Sequence, residues 1–155
     1  MSSPALAQEA GQPAQPQPTA SQLAFAQTGE AFDARMQTMI GDIQAMLADS
    51  NTDGAQKRAA LETILASYTP EINTFAGQLQ SFLQAEQANT SDPAQQARIA
   101  QALQNGPAAV RAIPDQVRQG VNEAIAQAEA QAAAQASGQA GASGQGAVAG
   151  SIPQQ

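Results

Sequence analysis

Seven large side chains constrain this sequence more than anything else in it. Leu61, Leu65, Tyr68, Ile72, Phe75, Leu79 and Phe82 follow alternating steps of four and three. On a helix those steps place them in one line, an a/d seam three heptads long. Pro70 falls inside the run. Thr69-Pro70-Glu71 would serve equally well as an N-cap, a first-turn proline and an acidic residue. A loop normally resets the register, however, and the stripe passes straight through Pro70, which lies on the side away from the seam. The phase therefore predicts one kinked helix over about 55–88.

Upstream, Phe25, Phe32, Met36, Met39, Ile43 and Met46, with Ile40 and Leu47 alongside, mark a second amphipathic helix from about residue 20. It stops where Asp49-Ser50-Asn51-Thr52-Asp53-Gly54 supplies turn chemistry. Downstream, Asp92-Pro93 with Gln95 is a helix start and Asn105-Gly106-Pro107 a stop, enclosing a short helix that carries Ile99 and Leu103. A last helix, bent near Pro114, presents Val110, Ile113, Val117, Val121 and Ile125. Beyond it, 127–136 lacks large apolar residues and is expected to fray or project into solvent. With Leu23, Ile64 and Leu83 added, these residues form the expected core. The fold class is all-α: a small three- to four-helix bundle, or a helical hairpin that dimerises, with a coiled-coil-like seam.

The organisation that follows is a helical domain over 20–136 between two disordered ends. Residues 1–19 combine a signal-peptide remnant (1–7) with a Pro/Gln-rich spacer containing Pro13, Pro16 and Pro18. Residues 137–155 form a Gly/Ser/Gln/Ala-rich tail with Val148 and Ile152 isolated in it. Ala5-Leu6-Ala7 has the small-x-small pattern that signal peptidase reads, so a mature chain would begin at Gln8. The expected location is periplasmic or secreted, or cytoplasmic if that pattern is fortuitous. Neither flank nor core contains an apolar run long enough for a membrane-spanning helix.

Composition narrows the chemistry. Ala accounts for 37 residues and Gln for 26, while Leu, Ile, Val and Phe together number 24 of 155, which favours long helices with thin cores. A net charge of −7 with six basic residues offers no patch for a phosphate backbone, so nucleic acid is not an expected partner. The absence of Cys and His removes thiol nucleophiles, imidazole bases and nearly every zinc, copper or haem site. Ser67, Tyr68 and Thr69 cluster, but no His or nearby Lys would activate a hydroxyl. Asp42 and Asp49, or Glu123 and Glu129, read as solvated surface rather than as an acid–base pair. Tyr68 reads as a seam residue whose hydroxyl reaches the rim. No catalysis and no cofactor are expected.

Two candidate sites remain. Asp49, Asn51, Asp53 and Gly54 resemble the opening D-x-[DN]-x-[DN]-G of an EF-hand, which implies a calcium site with helices on either side. The match covers half of such a loop: its last position holds Ala60 instead of Glu, the nearest carboxylate being Glu62. The competing assignment is a polar connector in which Thr52 or Asp53 caps the following helix. Met36, Met39 and Met46 with Phe25 and Phe32 are either core or an adaptable partner groove. The function expected is a structural or protein-interaction role, through self-association or another envelope protein. Its alternatives are a weakly calcium-responsive module at 49–54 and an amphipathic coat on a lipid or polymer granule.

Overall fold

The computed structural model describes residues 17–142, with side chains to 139. Four helices account for nearly all of it: α1 (Ala20–Ala48), α2 (Gly54–Asn89), α3 (Pro93–Arg111) and α4 (Ile113–Ala142). Each of the first three begins on a residue suited to its exposed amides. Thr19 and Asp53 form capping boxes with Gln22 and Gln56, and Asp92 accepts from Ala94 N–H ahead of Pro93.

The helices run up, down and up, with α3 and α4 as two segments of one third rod. Cross-helix pairs run in opposite sequence order, as antiparallel neighbours must: Gln22 with Glu86, Phe25 with Phe82, Phe32 with Phe75 and Arg35 with Glu71. On the other side Arg111 meets Gln80, Arg118 meets Glu62 and Glu129 meets Arg58. α2 is thus the central element, packed against all three others.

The core is a thin column. Met39 and Ile43 of α1 pack with Leu61, Leu65, Tyr68 and Ile72 of α2, and Val110, Ile113, Val117 and Val121 lie half-buried against them. Ala76, one turn beyond Ile72, is also buried, because small side chains let α3 approach α2 closely. Gly106 shows how closely: a Cβ there would stand 3.3 Å from Leu79 Cδ2.

α2 passes through Pro70 without interruption. Pro70 cannot bond to the Ala66 carbonyl, but both residues are exposed, so water can satisfy that oxygen. Thr69 donates to Leu65 O at 2.7 Å and Thr74 to Pro70 O at 2.8 Å, supplying side-chain bonds on either side.

Three expectations are corrected. Asn105-Gly106-Pro107 does not stop a helix: α3 continues to Arg111, with Pro107 buried inside it. Packing on α2 holds this segment helical despite the lost amide bond. The break falls at Ala112, two residues before the buried Pro114, and helical bonds cross it, Ala112 N–H to Ala108 O and Gln116 N–H to Ala112 O, both 3.0 Å. Second, Leu23 (53% exposed) and Ile40 (50%) are not core. Ile40 sits about 100° around the helix from buried Met39, and Leu23 about 200° from Phe25, so neither can share the stripe. Third, helix extends past 136 to Ala142, because the intrinsic preference of Ala carries it through Gly138.

Residues 126–139 are exposed throughout, as expected for a projecting end. Glu129 is level with the start of α2, so the remaining 13 residues of α4 reach about 20 Å beyond it. The expectations for 1–16 and 143–155 lie outside the described residues.

Candidate functional site

The connector between α1 and α2 is built from local bonds. Asp49 Oδ1 accepts from Asn51 N–H at 2.8 Å, and the Thr52 hydroxyl donates to Asp49 O at 3.2 Å. Asp53 Oδ1 accepts from Gln56 N–H at 2.8 Å as the cap of α2. Gly54, which in an EF-hand would form the mid-loop turn, is already the first helical residue. Lys57 Nζ reaches across to Leu47 O at 2.8 Å, placing an ammonium at the end of α1 where the helix dipole favours one. Asp49 and Asp53 therefore each hold a backbone amide, and Glu62 faces Arg118 on α4 rather than the connector. Among the described residues no three acids are gathered as a metal would require.

Glycine at 54 has a separate consequence. A Cβ there would fall 1.7 Å from Glu129 Oε1, so the absence of a side chain lets α4 bring its carboxylate against the first turn of α2. Arg58, one turn along, holds it at 2.8 Å. Arg118 returns the arrangement from α4, reaching Glu62 at 2.7 Å and also binding Asp115. These arginines hold the carboxyls of Glu62 and Glu129 below the usual carboxylate range, chiefly by hydrogen bonding. The junction forms an open pocket of about 380 Å³ lined by Leu47, Thr52, Gly54, Lys57, Ile125 and Glu129, with alanines of α4 as its remaining wall.

The second feature lies between α1 and α2. All four phenylalanines of the chain stack in one ladder: Phe32 on Phe75 at 4.0 Å, Phe75 on Phe25 at 5.8 Å and Phe25 on Phe82 at 4.3 Å between ring centroids. Each helix contributes two rings seven residues apart, so antiparallel packing interleaves them. The rings remain half-buried, and a groove of about 320 Å³ opens beside Phe32 and Phe75. Its rim carries Thr28, Arg35, Glu71, Thr74 and Gln78.

Arg35 organises that rim. Its Nε donates to Glu71 at 2.6 Å while its guanidinium carbon lies 4.6 Å from the centre of the Tyr68 ring. The Tyr68 hydroxyl donates to Asp42 at 2.6 Å, and this bond, with burial, raises its pKa. Tyr68 thus occupies the seam with its hydroxyl at the rim, as its spacing implies. Met36, Met39 and Met46 face the core cluster, not the groove.

The hydroxyls of Ser67 and Thr69 donate to Ile64 O and Leu65 O. Five of the six basic side chains, Arg35, Lys57, Arg58, Arg111 and Arg118, bond across helices. No helix of the described residues is long and apolar enough to cross a membrane. Compared with protein-family models, with curated proteins and with solved structures, the chain matches none.

The ladder and the Gly54–Glu129 contact are the features that spacing alone did not reveal. The ladder had a signal, the repeat of seven in each phenylalanine pair. The glycine contact had none, since 75 residues separate its partners.

Proposed function

We propose that this is an exported helical interaction protein without catalysis of its own, acting by self-association or by binding another envelope protein. The observation that supports the reading is the half-exposed phenylalanine ladder with the groove beside Phe32 and Phe75. Aromatic rings at the floor of a groove, with Arg35, Glu71 and Gln78 at its rim, suit the apolar stripe of an incoming helix. The small side chain of Ala31 leaves one wall open for close approach.

Sedimentation velocity over about 1–100 µM tests the self-association arm. Dimerisation that Ala31→Glu weakens at least about tenfold is the expected result, since the new charge would be desolvated in the interface. A chain monomeric throughout directs the reading to a different envelope protein. Export is tested separately by mass spectrometry of the native protein: a chain beginning at Gln8 in the periplasm or medium supports it, and one beginning at Ser2 in the cytosol sinks it.

A further inference from the structure

The described methionines are confined to one helix and one interface. Met36, Met39 and Met46 all belong to α1, and all face the cluster that joins α1 to α2. Phe32, Ile43 and Leu47 are the other α1 members of that contact, so half of the side chains fastening α1 there are thioethers. Their exposure is graded: Met39 is 2% exposed, whereas Met36 and Met46 are half-buried and reachable from solvent. With no Cys in the chain, methionine is the sulfur that a mild oxidant meets.

From this we infer that α1 is an oxidation-sensitive element, released from α2 when a peroxide converts Met36 and Met46 to sulfoxides. In each step the thioether sulfur attacks one peroxide oxygen. A sulfur–oxygen bond forms as the oxygen–oxygen bond breaks, and the second oxygen leaves as water. Sulfur loses two electrons and the peroxide gains them. The product is a strongly polar group on a side chain that packs against the apolar core cluster, where burial without a hydrogen-bond partner is unfavourable. Met36 and Met46 lie about 15 Å apart along α1, on either side of buried Met39 and Ile43, so two sulfoxides loosen the contact on both sides of its buried centre. The freed surface is the seam of α2 at Leu61, Leu65 and Ile72. Because a sulfoxide reductase restores the thioether, the change is reversible.

The test treats the full chain with dilute hydrogen peroxide, maps each methionine by peptide mass and follows helix melting by circular dichroism. The order expected is Met36 and Met46 first, with Met39 at least about tenfold slower. Melting is expected to fall by about 10 °C as the first two sulfoxides form and to recover on treatment with a methionine sulfoxide reductase. In M36L/M46L, whose side chains have nearly the same volume, peroxide is expected to move the melt by less than about 2 °C. The inference is overturned if both sulfoxides form without a shift, or if the double variant loses as much as the wild type. Equal rates at Met36, Met39 and Met46 would overturn it as well, and that readout needs no variant.

Discussion

Ile72 and Ile40 are the same residue in two environments, and shortening each to Ala separates burial from composition. Ile72 is 0% exposed at the centre of α2, whereas Ile40 is 50% exposed on α1. Ile72→Ala removes three carbons from a packed site, about 2.5 kcal/mol at roughly 0.8 kcal/mol per buried methylene, and the remaining cavity adds about 1 kcal/mol. The total of about 3.5 kcal/mol is a large share of the roughly 5–15 kcal/mol that holds a domain folded. Ile40→Ala deletes the same atoms from a surface already half in water and replaces a β-branched residue with the best helix former, so the loss should stay below about 1 kcal/mol. Urea unfolding of both variants, followed at 222 nm, reads the difference directly. Losses within about 1 kcal/mol of each other would refute the burial of Ile72 between the helices, as would an Ile72→Ala loss below about 1 kcal/mol.

Three further outcomes are expected. Glu62 and Glu129 have lowered folded-state pKa values, so their contribution to stability is fully present above the ordinary value of 4.5 and is lost as pH falls through the lowered values. The urea midpoint should therefore drop between about pH 5 and pH 3, and R58Q/R118Q should flatten that drop; an identical slope in the variant would count against the two cross-helix pairs. Gly54→Ala should push the Glu129 carboxylate away from Arg58, returning its titration upward toward 4.5 in a carboxyl-resolved NMR experiment. Asp53→Ala should lower the melting temperature by about 5 °C through loss of the α2 cap, equally in calcium and in chelator. A loss confined to the calcium sample would support the EF-hand assignment of Asp49, Asn51 and Asp53.

Local signals located the helices well wherever side chains alone decided the matter. The seam from Leu61 to Phe82, the caps at Asp53 and Asp92 and the continuity through Pro70 depend on neighbours within a turn or two, and each is present in the fold. The stop at Asn105-Gly106-Pro107 failed for a nonlocal reason. A helix pressed against α2 keeps its shape through residues that would end it in isolation, and Gly106 contributes close packing instead of a terminus. Ile40 and Leu23 failed for a geometric one, since apolar character did not make up for lying off the stripe.

The amino-acid sequence by itself determined that this chain is helical. Ala and Gln set the local preference, and the three–four spacing of a few large residues set which face of each helix would be buried. It also determined that imidazole and thiol chemistry are absent. Only the tertiary structure decided which faces meet. Antiparallel packing interleaved phenylalanines 50 residues apart in the chain into one ladder, and the length of the third rod placed Glu129 beside Gly54. Helix propensity is a property of a residue and its near neighbours. A groove, a staple or an end pocket arises only when surfaces distant in sequence share one place, and no local rule contains that information.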